Sequence, residues 1–258
     1  MKQEMNHYDK MTKTPLVTLI VSLGIQTTIS MLVTNIYNMA DTYFVGTLGE
    51  SPQAATGILF TLQAIIQAIA FMLGQGSGTM VSKAQADRND EEASEYVSTG
   101  FFTALGFGLL LMIGGLLFLE PFMRILGSTE TILPYAKQYG ACVLLSCPFV
   151  MGSFVLNNNL RYEGMSFYSM IGLVSGALMN ILGDYLLVMV FPFGVLGAGF
   201  STAVSQTISF GILLYFYKKR ALSKIRWTSL SRKMQVYVTI CKVGFPALIR
   251  QGLSSISS

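Results

Sequence analysis

Charged side chains are scarce in this chain. They make up 12% of its 258 residues, and the mean hydropathy is +0.55, whereas soluble domains carry about 25% charged residues. The few charges cluster between long uncharged runs, which cover residues 51–82, 96–119, 138–160 and 185–217. Each run exceeds the roughly 20 residues that span a bilayer core of about 30 Å. A water-soluble fold is therefore excluded, and the sequence predicts an all-α polytopic membrane protein.

Cysteine and histidine are also rare. Cys142, Cys147 and Cys241 include no CxxC spacing, and the one histidine, His7, lies in the polar N-terminal tail. This pattern is typical of small buried thiols and predicts neither a metal centre of Cys and His nor a disulfide framework. The net charge of +4 comes from basic residues in short loops, so nucleic acid is not expected as a partner. The first 13 residues are too polar for a cleaved signal, so the first apolar segment is expected to remain as a helix.

Six spanning helices are predicted, at residues 15–45, 52–82, 94–119, 131–157, 166–191 and 196–217, and a seventh apolar segment starts near Cys241. The expected fold is a six-transmembrane-helix bundle plus the start of helix 7. We expect an N-terminal lobe at 1–217, a basic, amphipathic cytoplasmic linker at 218–240 and a truncated helix 7 at 241–258. Leu23-Gly24-Ile25-Gln26 is similar to Val243-Gly244-Phe245-Pro246, which fits two related bundles of which the second lobe is missing.

Two acidic residues, Asp41 and Asp184, lie inside segments that are otherwise fit to cross a bilayer. No charged residue occurs between Thr14 and Ala40, and Asp184 is the only one between Gly164 and Tyr217. A carboxylate in hydrocarbon costs several kcal/mol at least, so such a residue is usually kept for handling an ion, a proton or a substrate. The two acids therefore predict a transporter, with the acids at its coupling site, rather than an enzyme.

Polar faces on three predicted helices support this interpretation. Helix 5 carries Asn180 one turn before Asp184, helix 6 carries Thr202, and helix 1 carries Thr34 and Asn38 in line with Asp41. At about 1.5 Å per residue, Asp41, Asn180, Asp184 and Thr202 reach similar depths in the outer half of the bundle. These four residues are the predicted cation site, for Na⁺ or for a proton, and no other cofactor is expected. The alternatives are a packing face that ends in an acid near the surface, and hydroxyls that bond back to their own helix.

Five motifs follow one another along the chain: Tyr37-Asn38-Met39-Ala40-Asp41, Gly74-Gln75-Gly76-Ser77-Gly78, Asn159-Leu160-Arg161-Tyr162-Glu163-Gly164, Asn180-Ile181-Leu182-Gly183-Asp184 and Gly194-Val195-Leu196-Gly197-Ala198-Gly199. In this combination they resemble the MATE (multidrug and toxic compound extrusion) transporters, closest to their DinF-like prokaryotic branch. One departure is Gln26, which stands where that branch usually has a proline.

The resemblance implies a twelve-helix antiporter of two lobes that exports organic cations and drugs in exchange for Na⁺ or protons. It assigns Asp41, Asn180, Asp184 and Thr202 to the cation site of the N-terminal lobe. Tyr139 and Asn157 match positions associated with the lobe cavity, and Thr34 and Asn38 are further candidates for the substrate cavity. The expected partners are small organic, cationic substrates, membrane lipid and the second lobe, in the cell (inner) membrane.

Three rival functions remain open on the sequence. A lipid- or polysaccharide-linked flippase of the same superfamily would need a cationic cavity, for which only Lys137 and Arg250 are candidates. A non-transporting fragment would account for the missing second lobe. An intramembrane aspartyl protease would also use two membrane acids, but Ile181-Leu182-Gly183-Asp184 lacks the first glycine of a G-x-G-D motif.

The loops also predict the orientation of the chain. If the helices alternate, most basic residues fall on one side, and the positive-inside rule places that side and the N-terminus in the cytoplasm. The residues that lead to this assignment are Lys2, Lys10, Lys13, Lys83, Arg88, Arg161, Lys218, Lys219, Arg220, Lys224, Arg226, Arg232 and Lys233.

This orientation gives a labelling prediction. A cysteine at position 50, in place of Glu50, should react with an impermeant maleimide in intact cells. A cysteine in place of Asn89 should react only after permeabilisation, because it lies one span further along. The reverse pattern would contradict the predicted topology.

Overall fold

The computed structural model describes residues 16–256, with side chains described for 17, 18, 21 and 24–252. The tail with His7 lies outside this range. The helices, in chain order, are α1 (Leu16–Gly46), α2 (Glu50–Ala86), α3 (Asp90–Leu117), α4 (Leu119–Ile125), α5 (Leu133–Tyr162), α6 (Ser166–Asp184), α7 (Gly194–Arg220) and α8 (Met234–Ile256). A π-helical turn, Tyr185–Val190, continues α6, and a 3₁₀ turn, Trp227–Ser229, lies between α7 and α8. Within the described range there is no strand.

Among the described residues, five helices are long and apolar enough to cross a bilayer: α2, α3, α5, α6 with its π turn, and α7. In addition, α1 has 31 residues, which corresponds to about 46 Å of helix. It continues without a break through Gln26, the position where the related branch usually has proline. The prediction of an all-α polytopic membrane protein is confirmed.

Two elements differ from the sequence prediction. The helix α8 begins at Met234 rather than near Cys241, because its first turns already bury Val236 and Ile240 against the bundle. The basic residues just before Met234 are typical of a loop, so their composition predicts a later start of the helix. The short helix α4 was not predicted. It carries exposed ion pairs from Glu120 to Arg124 at 3.2 Å and to Lys137 at 3.0 Å, which hold the pKa of the Glu120 carboxyl below its usual range.

The centre of the bundle is α5, which packs against α2, α3 and α7 and buries residues along its whole length. Bilayer-facing side chains gain nothing from leaving lipid, so helices in membranes associate where small residues let them approach closely. The glycines of the predicted motif on α2 do this. Gly74 lies against Asn158 and Gly78 against Tyr162, both on α5.

A second close approach joins α2 to α8. A Cβ at Gly76 would overlap the carbonyl oxygen of Ile240, and one at Gly244 would overlap that of Met72. At each glycine, backbone atoms of the other helix occupy the space that a Cβ would need. Backbone atoms cannot move aside as the end of a flexible side chain could. The start of α8 is therefore fixed to the six-helix bundle by backbone contact.

We predict that Gly76→Ala destabilises the chain by about 1–3 kcal/mol, because the new methyl group overlaps the backbone of α8. Gly57→Ala, on the same helix, is the matched control. Nothing lies within 4 Å of a Cβ at Gly57, so this change should be neutral or stabilise the helix by up to about 1 kcal/mol. Unfolding in mixed detergent micelles measures both. Equal stability of the two variants would contradict the packing described here.

Candidate functional site

Five buried polar residues meet at one end of the bundle. Asp41 lies near the end of α1, Asn180 and Asp184 at the end of α6, Tyr139 near the start of α5 and Thr202 near the start of α7. None of the five is more than 5% exposed. The four residues of the predicted cation site are thus brought together, and Tyr139 joins them.

The hydrogen bonds of this group run in one direction. The Tyr139 hydroxyl donates to Asp41 Oδ2 at 2.9 Å and lies 3.3 Å from Thr202 Oγ1. Because the single hydroxyl hydrogen of Tyr139 goes to the carboxylate, the Thr202 hydroxyl must be the donor in the second contact. Thr202 Oγ1 in turn accepts from Asn180 Nδ2 at 3.1 Å. The series of hydrogen bonds therefore runs from the donor Asn180 through Thr202 and Tyr139 to the acceptor Asp41.

Four buried oxygen atoms at this site are left without a donor among the described residues. They are Asp41 Oδ1, Asn180 Oδ1 and both carboxylate oxygens of Asp184. The Ser201 hydroxyl lies beside Asp184 but donates to the backbone carbonyl oxygen of Asn180 at 3.0 Å. Buried oxygens without partners cost about 1–3 kcal/mol each, and more when charged, so native structures normally satisfy them. The site thus fits a ligand that supplies positive charge to oxygen.

The local structure of α6 changes at the site. Asp184 is the last residue of the regular helix, and the π turn begins at Tyr185. Such π turns widen a helix and are frequent at functional sites. Further along, Pro192 stands in the short connection to α7. The acid therefore lies where the backbone geometry changes.

Two further residues at the site, Tyr37 and Ser201, are not among those predicted from the sequence. Tyr37 lies within electrostatic range of both Asp41 and Asp184, and its position one turn before Asp41 could have predicted this. Ser201 lies beside Asp184, and Gly183 leaves room for it, since a Cβ there would overlap the Ser201 hydroxyl. In the sequence, only its position next to Thr202 could have predicted that Ser201 belongs to the site.

The other predicted residues lie elsewhere. Asn157 is about 27 Å along α5 from Tyr139, and its Nδ2 donates to the carbonyl oxygen of Ser169 on α6 at 3.1 Å. Thr34 bonds back to the carbonyl oxygen of Ser30 at 2.8 Å. Neither residue contributes to the five-residue group.

Asn38 faces a separate cavity between α1 and α2, with a volume of about 1010 Å³. Its described lining contains no charged residue: Asn38, Met39, Thr42, Tyr43, Gly46, Thr47, Gln53, Gly57, Phe60, Thr61 and Ala64. Along α1, Asn38 and Thr42 are one turn apart and line this cavity, whereas Tyr37 and Asp41 lie on the side of the helix that faces Asp184. The helix α1 is therefore the wall between the cavity and the acidic group.

Comparison with known proteins gives matches over most of the chain. A family model, MatE, matches residues 27–186. The chain is 27% identical over 231 residues to the multidrug export protein MepA of Staphylococcus saprophyticus, covering 89% of this chain and 51% of that protein. It is 27% identical over 252 residues to MepA of Staphylococcus aureus, covering 96% and 55%. The chain thus spans about half the length of the curated relatives it matches.

Solved structures give the same picture. The chain matches an outward-facing multidrug resistance MATE family transporter of the MOP superfamily with a TM-score of 0.84 and 28% identity, over 92% of this chain and 53% of that one. An inward-facing structure of such a transporter matches with a TM-score of 0.80 and 25% identity, over 91% and 55%. A MATE structure in complex with MaD3S matches with a TM-score of 0.86 and 28% identity, over 92% and 54%.

We predict that Tyr139→Phe destabilises the chain by about 1–3 kcal/mol. The change removes the donor to Asp41 and leaves another buried carboxylate oxygen without a partner. Tyr135→Phe is the matched control, because Tyr135 lies one turn earlier on α5 and is exposed; it should change stability by less than about 0.5 kcal/mol. Unfolding in mixed micelles distinguishes the two. Equal losses, or none, would contradict the directional chain of hydrogen bonds.

Proposed function

The chain belongs to the MatE family of membrane transporters, and on that premise we propose that it forms one lobe of a secondary antiporter that exports organic cations and drugs in exchange for Na⁺ or protons. In this proposal it is the N-terminal lobe and works with a second, C-terminal lobe. The protein is a multi-pass membrane protein. We place it in the cell (inner) membrane, with the N-terminus in the cytoplasm.

The observation that carries the proposal is the set of donor-free oxygens at Asp41, Asn180 and Asp184. Two neighbouring carboxylates in a low-dielectric environment repel each other when both are ionised. A bound proton or Na⁺ removes that repulsion and occupies oxygens that have no hydrogen-bond donor. The available ligands are all oxygen atoms, which suit a hard cation. Asp41, Asn180, Asp184 and Thr202 are the residues that would hold it.

The cavity between α1 and α2 supplies a place for the exported compound. A volume of about 1010 Å³ matches pockets that take drug-sized molecules. Because the described lining carries no charged residue, a cationic compound would be held by amide and hydroxyl oxygens and by the faces of Tyr43 and Phe60. Met39 can adapt its shape to different compounds.

The position of α1 suggests how ion and compound are linked. The ion site lies on one face of this helix and the cavity on the other, so a shift of α1 changes both. Much of α1 is exposed and it packs mainly against α6, which leaves it freer to move than α5. Release of the ion restores repulsion between the acids, which favours a different position of α1. The two lobes then rock around the shared cavity, as alternating access requires.

The rival functions are less well supported. A flippase cavity would need exposed cationic groups, but Lys137 pairs with Glu120 at the surface, and no basic residue lines the described cavity. An aspartyl protease conflicts with membership in a transporter family. A chain that does not transport alone is compatible with the proposal, since the chain spans about half of its relatives.

We predict that Asp184→Asn reduces ion-driven export by the two-lobe protein at least about tenfold. The amide cannot supply the charge that a proton or Na⁺ neutralises. It also relieves the desolvation of a buried carboxylate, so stability should hold or rise. Transport is measured as dye movement in proteoliposomes under an imposed Na⁺ or proton gradient.

The control for this variant is Asp87→Asn. Asp87 is exposed in the loop after α2, so its removal changes the net charge equally without touching the site. It should transport as the wild type does. Full ion-driven transport by Asp184→Asn would disprove the assigned role, and loss of folding by that variant would contradict the stability argument.

A further inference from the structure

The segment between α7 and α8, residues 221–233, is held along its backbone by side chains of the bundle. We call it the connector. The backbone N–H groups of Leu222 and Ser223 donate to the buried Glu163 carboxylate, at 2.8 and 3.4 Å. The Ser223 hydroxyl also donates to Glu163, as does Tyr217 at 3.1 Å. The first part of the connector is thus fixed to the end of α5.

Hydroxyl groups on α3 hold the rest of the connector. The N–H of Lys224 donates to Ser94 Oγ at 3.0 Å, and that of Arg226 donates to Ser98 Oγ at 3.1 Å. Ser231 N–H donates to Thr99 Oγ1 at 3.1 Å. Three hydroxyls on one side of α3 therefore accept hydrogen bonds from the backbone of the connector. These bonds hold the connector against the surface of the bundle.

Exposed basic side chains are concentrated in the last turn of α7 and in the connector. Seven such residues lie there, and none forms an ion pair with an acid in the described part of the chain: Lys218, Lys219, Arg220, Lys224, Arg226, Arg232 and Lys233. No Asp or Glu follows Asp184 in the sequence. The positive charge of this surface is therefore not neutralised by its own segment.

An exposed aromatic ring accompanies these charges. Trp227 is 71% exposed and packs edge-on against Phe102 of α3, with ring centroids 4.7 Å apart. Phe102 lies three turns into α3, further into the bundle than the acidic first turn, Asp90–Glu92. The ring of Trp227 thus lies on the bilayer side of those acids, whereas Lys224 lies level with Ser94, next to Glu95. Tryptophan with an exposed ring at this depth is typical of the membrane–water interface.

We propose that the connector binds the headgroups of anionic phospholipids at the membrane face where α7 ends and α8 begins. Lys224, Arg226, Arg232 and Lys233 pair with lipid phosphates, and the ring of Trp227 lies among the headgroups and upper acyl chains. The surface joins two helices at the membrane, which favours lipid over nucleic acid or an acidic protein. Because the connector is bonded to α3 and to Glu163, bound lipid also holds the bundle in this arrangement. The inference does not depend on which compounds or ions are transported.

The test compares binding of phosphatidylglycerol and phosphatidylcholine to the 258-residue chain in nanodiscs of defined composition and by native mass spectrometry. Lys and Arg near a membrane surface contribute about fivefold each to anionic-lipid affinity, so K224Q/R226Q should weaken phosphatidylglycerol binding about 25-fold. Phosphatidylcholine binding should not change. Raising the salt concentration should weaken only the phosphatidylglycerol binding of the wild type.

The matched control is K83Q/K242Q, which removes the same charge from exposed lysines outside the connector. It should retain phosphatidylglycerol binding within about twofold. Thermal unfolding in phosphatidylcholine checks that both variants fold. Unchanged lipid binding by K224Q/R226Q, or an equal loss in the control, would overturn the proposal. So would displacement of the lipid by equimolar inorganic phosphate or by an RNA oligonucleotide.

Discussion

The burial of two carboxylates side by side is the constraint on which the rest of this structure depends. Asp41 and Asp184 are almost completely inaccessible, and only one of their four oxygens receives a hydrogen bond from a described residue. Each neighbouring helix contributes to making that burial tolerable. α5 supplies the tyrosine, α7 supplies the threonine and α6 supplies the amide that donates to that threonine. These groups leave three carboxylate oxygens without a donor among the described residues, and we propose that a cation binds there.

The helices around the site differ in how closely they pack against their neighbours. α2, α5 and α8 are joined by backbone-level contacts at glycines, and the connector is bonded to α3 and to the end of α5. In contrast, α1 has large exposed apolar side chains along its length. It is the helix that contacts both the acids and the open cavity. In the proposed mechanism these joined helices keep their positions while α1 responds to the charge of the site.

Much of this arrangement follows from the sequence because a bilayer enforces it. Uncharged runs predict the spans, and helical rise places Asp41, Asn180, Asp184 and Thr202 at one depth. The order of hydrogen bonds does not follow, since it depends on which way α5 turns Tyr139. Asn157 shows the same limit: it shares a helix with Tyr139 but lies about 27 Å away, where it joins α5 to α6. Its cavity role, and the cation role of the other residues, stay predictions.

The beginning of α8 shows where composition misleads. Basic residues next to Met234 are typical of a loop, yet the apolar residues that follow pack on α2 from the first turn. Tertiary contact decided the boundary, and one sequence carries no record of that contact. For the connector, composition predicts the charge but not the backbone contacts. Its basic composition is visible in the sequence, but its backbone is held by two serines and a threonine on α3 that lie more than a hundred residues away.

Infrared difference spectroscopy of the purified chain tests the central claim most directly, because it observes the carboxyl groups themselves. Titration with protons or with Na⁺ should produce a carboxyl band that changes with occupancy and disappears in Asp184→Asn, while Asp87→Asn retains it. If neither ion changes any band that depends on Asp184, the donor-free oxygens do not form a cation site and the account is wrong.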